Sequence, residues 1–416
     1  MLKRWRTRIL LFWAVLGPGF ITANVDNDSG GILTYSQAGA QYGYTLLWTI
    51  IPITLALIVV QEMCARMGVV TGKGLSDLIR EEFGLRLTVF LMVLLVVVNY
   101  TNVVTEFIGI AGSLHLFHVA KFISVPVCGA LVWFLVVRGN YKSTEKVFLV
   151  ASLVYIAYIF AGVLSQPSWH DALLATVQLP HEAVWRDKTY IYTAIGVVGT
   201  TIAPWMQFYL QSSIVEKGIR VKDYPASRLD VIVGSFFTDI VAWFIIVACA
   251  ATLFVHGMGT IQVAADAAEA MRPLAGDYAF ILFAFGLFNA SVFAASILPL
   301  STAYTVCEGL GVESGVDKSF REAPFFYWLY TLLIVGGAVT VLLLPDAQLV
   351  NFAILSQVLN GVLLPVVIIL MLLLINRADL MGEHKNSRLW NFIAWGTSII
   401  VIGMTAVMLW GMIPGH

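Results

Sequence analysis

A carboxylate interrupts an apolar stretch near the start of this sequence. Gly17-Pro18-Gly19 opens the stretch, and Asp28-Ser29-Gly30-Gly31 breaks it near its middle. A second apolar stretch, from Tyr190 to Val215, is broken by Gly199-Thr200-Thr201-Ile202-Ala203-Pro204. Because glycine and proline disrupt helices, backbone carbonyls at both breaks are left without intrahelical partners. A carboxylate beside such carbonyls is suited to bind a cation, and Asp28 supplies that carboxylate.

The composition places these breaks inside a membrane. Of the 416 residues, 59% are hydrophobic and 12% are charged, and the mean hydropathy is +0.86. A soluble domain carries about 25% charged residues, so this chain lacks the polar surface to cover a water-soluble globule. It is predicted to be an integral, multi-pass membrane protein, with the lipid bilayer as its surroundings. No nucleic-acid partner and no obligate protein partner is predicted.

Eleven apolar stretches are long enough to span a bilayer, which takes about 20 residues each. If the N-terminus is cytoplasmic, 20 of the 24 Lys and Arg residues fall on the cytoplasmic side, as the positive-inside rule requires. The predicted spans are roughly 9–40, 45–69, 85–113, 115–137, 145–165, 190–215, 229–255, 278–306, 325–344, 347–375 and 390–412.

The two broken spans each begin a set of five. The first set is 9–165, the second is 190–375, and 390–412 is an additional span, all within one transmembrane domain over 1–416. An odd number of spans per set inserts the second set upside down relative to the first. Such inverted repeats bind their substrate near the midplane, at discontinuous helices.

These motifs resemble the NRAMP family of divalent-metal transporters. Gly17-Pro18-Gly19-Phe20 with Gln37-Ala38-Gly39-Ala40-Gln41-Tyr42-Gly43 is similar to its first span, and Glu106-Phe107-Ile108-Gly109 to its third. Val69-Val70-Thr71-Gly72 is similar to the loop after its second span, and Ser356-Gln357-Val358 to its tenth. The resemblance implies an all-α leucine-transporter-type (LeuT) fold, alternating access and no enzymatic activity.

The two breaks depart from the usual family pattern. In the first break, the family's usual Asp-Pro-Gly-Asn is replaced by Asp28-Ser29-Gly30-Gly31. In the second break, the usual motif is Ala-x-x-Met-Pro-His. Here its Ala is Thr200, its Met is Ala203, its Pro is Pro204 and its His is Trp205. The Asp remains, whereas the Asn amide, the Met thioether and the His imidazole are gone. This pattern resembles the branch described as NRAMP-related magnesium transporters.

The resemblance assigns the metal site to Asp28, Gly31, Thr200 and Ala203, with the Thr200 carbonyl as a ligand. A thioether favours soft or borderline ions, so its absence at Ala203 leaves hard oxygen ligands. The small Gly31 and Ala203 predict a wide cavity for Mg²⁺, which keeps several of its waters. We therefore expect Mg²⁺ as the main substrate with Mn²⁺ accompanying it, as transported ions and not as cofactors.

Proton coupling is predicted to be absent. The His after the second-break proline is Trp205 here, and an Asp three residues before Glu106 in the family pattern is Val103. Both positions belong to the family's proton relay, so the resemblance implies uncoupled transport. The bacterial cytoplasmic membrane is the expected location.

For several polar residues, the sequence is compatible both with a contact to the ion and with packing between helices. Asp26 could replace Asp28 as ligand or line the vestibule. Asp239 could recruit hydrated cations or bond to Thr238 or another neighbour. Further candidates for contacts to ion-bound water are Ser29, Glu106, Gln357 and Asn360, for which interhelical hydrogen bonds are the alternative.

Two other functions share parts of this pattern. A proton-coupled Mn²⁺/Fe²⁺ transporter has the same fold, and so does a sodium-coupled symporter of small organic solutes, for which Thr200 and Thr201 could supply hydroxyl ligands. An intramembrane metalloprotease is disfavoured because the sequence contains no H-E-x-x-H motif.

Overall fold

A computed structural model describes residues 17–258 and 261–411 of the chain. Seventeen α-helical segments, numbered in chain order, occupy most of this part, and the longest of them is kinked at Gly276, where φ is 87°. They are α1 Pro18–Val25, α2 Ser29–Tyr42, α3 Ile50–Thr71, α4 Leu75–Phe83, α5 Leu85–His115, α6 Lys121–Val137, α7 Tyr141–Val154, α8 Ile156–Leu164, α9 Trp169–Val177, α10 Lys188–Thr201, α11 Pro204–Lys217, α12 Tyr224–Cys249, α13 Ala264–Leu310, α14 Pro324–Leu343, α15 Asp346–Ile375, α16 Ala378–Met381 and α17 Arg388–Gly411.

Each of the eleven predicted spans corresponds to a helix or a pair of helices. Residues 9–16 and 412, at the outer edges of the first and last predicted spans, lie outside the described residues. Over the described residues, eight helical segments are long and apolar enough to cross a membrane, and α6 is a shorter apolar helix. The membrane orientation and the bounds of the two repeats stay predictions.

The fifth predicted span is present as one membrane-length segment, Lys142–Leu164, with a turn at Tyr155 between α7 and α8. The polar connection after it contains α9, which is anchored because Trp243 donates a 2.8 Å hydrogen bond to the Thr176 hydroxyl. This hydrogen bond could not be predicted from the composition of the connection, because its donor is a side chain in α12.

The first break occurs where Asp28 caps α2. Asp28 has extended backbone angles, φ −73° and ψ −178°, and its side chain accepts a hydrogen bond from the Gly31 N–H. Aspartate is a preferred N-cap because it satisfies an N–H that has no intrahelical acceptor. The chain therefore leaves α1 after Val25 and starts a new helix at Ser29.

At the second break a new helix also begins, here with a proline in its first turn. Helix α10 ends at Thr201, and Ala203 is extended, with φ −80° and ψ 143°. Pro204 occupies the first turn of α11, where its missing N–H costs no hydrogen bond. Helix α12 packs against α1, α2 and α3, and α10 packs against α2, so that the two breaks face each other.

Candidate metal site

Oxygen atoms from both breaks converge beside Gly31. A Cβ atom placed on Gly31 would lie 2.6 Å from the Asp26 carbonyl oxygen, 3.5 Å from Asp28 Oδ1 and 3.5 Å from Thr200 Oγ1. These are the three heavy atoms nearest to that point outside the adjacent backbone. A carboxylate, a backbone carbonyl and a hydroxyl thus meet at one place, which is a hard-ligand set.

Asp28 is held in place by the helix that it caps. Its Oδ1 accepts a 2.7 Å hydrogen bond from the Gly31 N–H, and the residue is 9% exposed. The positive end of the α2 dipole stabilises a negative charge at this position. The carboxylate of Asp28 is therefore positioned by the start of α2, although the residue is nearly buried.

A tyrosine links the two breaks directly. The Tyr35 hydroxyl lies 2.8 Å from Thr201 Oγ1, and Thr201 Oγ1 itself donates to the Val197 carbonyl. Tyr35 is therefore the donor of this pair. The sequence analysis missed Tyr35, because its position nearly two turns into α2 gives no signal of a partner in α10.

Ala203 contributes no side-chain ligand. It is 4% exposed, and its carbonyl accepts a 3.2 Å hydrogen bond from the Met206 N–H in the first turn of α11. The replacement of a family thioether by a methyl group therefore removes sulfur from this part of the second break.

Glu106 is bound to the first break. Its Oε2 accepts a 3.1 Å hydrogen bond from the Ser29 N–H, while its Oε1 is buried without a hydrogen-bond partner among the described residues. Of the two alternatives for Glu106, the interhelical hydrogen bond is observed, and a contact to ion-bound water stays a prediction. The hydrogen bond joins α5 to the start of α2, one residue from Asp28.

The two polar residues of α15 have different surroundings. A Cβ atom on Gly30 would lie 2.1 Å from Gln357 Nε2, so the Gln357 amide lies against the first break. Asn360 instead exchanges two 3.1 Å hydrogen bonds with the Asn102 amide. The interhelical alternative is therefore observed for Asn360, whereas Gln357 is in a position to contact an ion or its water.

Both predicted relay positions are occupied by buried apolar groups. Val103 is fully buried, and Trp205 is 1% exposed. Val103 Cγ1 lies 2.8 Å from where a Cβ of Gly337 would be placed, which indicates tight packing of α5 on α14. Neither side chain can carry a proton.

Asp239 does not bond to Thr238, which was one of its predicted alternatives. Thr238 Oγ1 instead accepts a 2.7 Å hydrogen bond from the Asn27 amide. Thr54, on the neighbouring α3, donates its hydroxyl to the Ile50 carbonyl. The described residues provide no hydrogen-bond partner for either Asp239 carboxylate oxygen.

An open space next to the site lies outside the oxygen set. A cavity of about 350 Å³ extends between α2, α10, α15 and α17 and is lined by Thr34, Gln37, Gly199, Gln357 and Thr405, among others. Asp28 and Ala203 do not line it. The width expected at Gly31 is taken up by the Asp26 carbonyl, because only glycine allows an approach this close. The cavity instead reaches the first break through Gln357.

The described residues hold no group of three or more His, Cys, Asp and Glu side chains that could bind a metal. Any ion at the first break must therefore rely on few carboxylates, on uncharged oxygen atoms and on water.

A comparison with known families agrees with this architecture. Residues 19–411 match the family described as Natural resistance-associated macrophage protein-like, or Nramp. The chain belongs to the Nramp family. Nramp proteins are integral membrane transporters, which agrees with the eight membrane-length helical segments among the described residues.

Individual relatives of this Nramp chain agree with the assignment. The divalent metal cation transporter MntH of a Nostoc species is 27% identical over 424 residues, covering 96% of this chain and 93% of the relative. A crystal structure of an Eremococcus coleocola manganese transporter has a TM-score of 0.72 at 23% identity, covering 97% of this chain and 86% of that one.

The same fold occurs in a more distant protein. MhsT in complex with L-phenylalanine has a TM-score of 0.61 at 16% identity, covering 93% of this chain and 98% of MhsT. At such identities the similarity concerns the fold alone. The all-α LeuT-type fold predicted from the sequence is confirmed.

Proposed function

We propose that this Nramp protein transports divalent cations, mainly Mg²⁺ and also Mn²⁺, as largely hydrated ions and without proton coupling. The observation that carries the proposal is the convergence of the Asp26 carbonyl, the Asp28 carboxylate and the Thr200 hydroxyl beside Gly31. Mg²⁺ and Mn²⁺ both accept oxygen ligands, whereas Cd²⁺ gains from sulfur. The site includes one carboxylate, which suits an ion that keeps most of its water.

The adjoining cavity supports passage of a hydrated ion. Six waters at roughly 30 Å³ each occupy about 180 Å³, and the cavity that Gln357 lines has a volume of about 350 Å³. A Mg²⁺ ion can therefore approach the first break with its first hydration shell intact. The Gln357 amide is in a position to hydrogen-bond that shell.

The membrane potential provides enough driving force without protons. A doubly charged ion gains about 4.6 kcal/mol per 100 mV, since each charge gains about 2.3 kcal/mol. Val103 and Trp205 stand where the resemblance places the relay, and neither can titrate. A bacterial cytoplasmic membrane, with its inside-negative potential, would provide this force.

Proton-coupled Mn²⁺ transport is the second candidate, and two observations favour it. The relatives include a divalent metal cation transporter MntH and a manganese transporter of the same fold. Asp26, Glu106 and Asp239 are also buried carboxyl groups within the membrane region, so the chain retains groups that could accept protons. The sodium-coupled solute symporter is supported by fold similarity alone.

Flux measurements in proteoliposomes separate these candidates. Vesicles containing the purified full-length protein are loaded with a Mg²⁺, a Mn²⁺ or a pH indicator, and the voltage is clamped with K⁺ and valinomycin. We expect voltage-driven Mg²⁺ uptake, slower or comparable Mn²⁺ uptake, and no internal acidification linked to either ion.

Three outcomes contradict the proposal. Mn²⁺ uptake without Mg²⁺ uptake excludes the proposed selectivity. Metal-driven acidification supports the proton-coupled candidate, and sodium-dependent uptake of L-phenylalanine supports the symporter. Empty vesicles and vesicles with the Asp28→Asn protein serve as controls for leak.

A further inference from the structure

Two buried carboxylates near the first break have no positively charged partner in the described part of the chain. Asp26 and Asp239 are each 2% exposed. Asp26 Oδ2 and both carboxylate oxygens of Asp239 have no hydrogen-bond partner among the described residues. Within that part of the chain, neither forms an ion pair with Lys or Arg, although other buried acids such as Glu62 do, through Arg66 at 3.1 Å.

The two carboxylates belong to one contact between the first break and α12. The residue after Asp26, Asn27, donates its amide to the carbonyl of Thr238 at 3.0 Å and to its hydroxyl at 2.7 Å. Thr238 directly precedes Asp239. Asp26 and Asp239 therefore belong to two segments whose adjacent residues are hydrogen-bonded to each other.

Further oxygen atoms at this contact also lack partners. Asn27 Oδ1 and Ser235 Oγ, the latter one helical turn before Asp239, are buried and unpaired among the described residues. Buried polar atoms are nearly always hydrogen-bonded to protein or to ordered water, so several unpaired oxygens together indicate that water or an ion binds here. Every one of these atoms is a hard oxygen donor, which matches an alkaline-earth or similar cation.

Among cations, the charge balance favours a divalent ion. A buried unpaired carboxylate anion costs several kcal/mol, and either protons on the carboxyl groups or a cation between them relieves that cost. One divalent cation neutralises Asp26 and Asp239 together, whereas a monovalent cation leaves one negative charge buried. The carbonyl of Asp26 faces Gly31 and the Asp28 site, so the same residue borders both sites.

We propose that Asp26 and Asp239 bind a second divalent cation, between the first break and α12, in addition to the ion at Asp28. This site fixes the unwound segment to α12. It does not depend on which divalent ion is transported or on how transport is driven.

The number of bound ions tests the proposal. The purified full-length protein in detergent is equilibrated with Mn²⁺ as the probe, and bound Mn²⁺ per chain is counted by equilibrium dialysis and by electron paramagnetic resonance. We expect two Mn²⁺ per chain in the wild type and one each in Asp239→Asn, Asp26→Asn and Asp28→Asn. Asp28→Asn combined with Asp239→Asn should bind none.

Asp230→Asn is the matched control. Asp230 is an acid of the same helix that is also 2% exposed, but three backbone N–H groups satisfy its carboxylate. This variant should still bind two Mn²⁺. Loss of an ion in it would show that removing any buried carboxylate of α12 lowers the count, and would overturn the assignment to Asp239.

The remaining outcomes are also decisive. One Mn²⁺ per wild-type chain overturns the proposal, even if every variant misfolds. Displacement of the second Mn²⁺ by high NaCl, but not by choline chloride, identifies the occupant as Na⁺ and also overturns it. If Asp28→Asn still binds two ions, the proposed transport site fails, while loss of one ion in Asp239→Asn would uphold the second site.

Discussion

Oδ1 of Asp230 accepts a 2.8 Å hydrogen bond from the backbone N–H of Gly17, at the start of α1. The same carboxylate accepts hydrogen bonds from Gly19 N at 2.8 Å and from Phe20 N at 3.1 Å. Helix α12 thus caps a helix that is about 200 residues away in the sequence, and it satisfies N–H groups that have no intrahelical acceptor. This contact holds the short α1 at the end of the molecule that is predicted to be cytoplasmic.

Asp230→Ala should destabilise the protein strongly. The substitution leaves three buried N–H groups unsatisfied, which we expect to lower the free energy of unfolding by about 3 kcal/mol. Asp230→Asn keeps an acceptor oxygen and should lose about 1 kcal/mol. Thermal unfolding in detergent measures both. Asp379→Ala, at an exposed ion pair with Arg377, is the control, and equal losses in all three variants would contradict the role of the Asp230 contact.

Asp28→Asn should abolish metal transport while the fold is retained. Asparagine is as good an N-cap as aspartate, so the hydrogen bond to the Gly31 N–H can persist without the charge. We expect Mg²⁺ and Mn²⁺ flux to fall to the level of empty vesicles, with a melting temperature close to that of the wild type. Near-normal flux would remove Asp28 from the ion site. Asp171→Asn, at an exposed residue, should transport normally.

Ala203→Met should change selectivity, because it places a thioether at the second break. A thioether favours soft ions, so we expect Cd²⁺ and Mn²⁺ uptake to increase relative to Mg²⁺ uptake by about tenfold, equivalent to about 1.4 kcal/mol. Ala203→Leu supplies similar volume without sulfur and separates ligand chemistry from crowding. If Leu and Met shift the selectivity equally, sulfur is not the cause.

Gly31→Ala should impair transport through a steric effect. Its Cβ would lie 2.6 Å from the Asp26 carbonyl oxygen, so the backbone of the break must move, at a cost of about 1–3 kcal/mol. Gly396→Ala, in α17 and away from the breaks, is the matched control, since no atom lies within 4 Å of a Cβ there. Alanine at that helical position should leave flux unchanged and raise the free energy of unfolding by about 1 kcal/mol or less. Equal effects of the two substitutions on flux would contradict the steric account.

The sequence by itself determined the helical elements and both breaks. Apolar length predicted the spans, and local chemistry predicted their interruptions, since Asp28 caps a new helix and Pro204 starts one. The Glu62–Arg66 ion pair was predictable for the same reason, because residues four apart on a helix are neighbours. Glycine, proline and N-cap preferences act within a few residues, so they can be read without the fold.

Only the tertiary structure decided which polar groups meet. The convergence of Asp26, Asp28 and Thr200 beside Gly31 joins two breaks that are far apart in sequence. Asn360 was equally compatible with water and with a neighbouring helix until its pairing with Asn102 was seen. The open volume lies beside Gln357 and not at Gly31 because side-chain packing, which residue names do not specify, fixes where space remains.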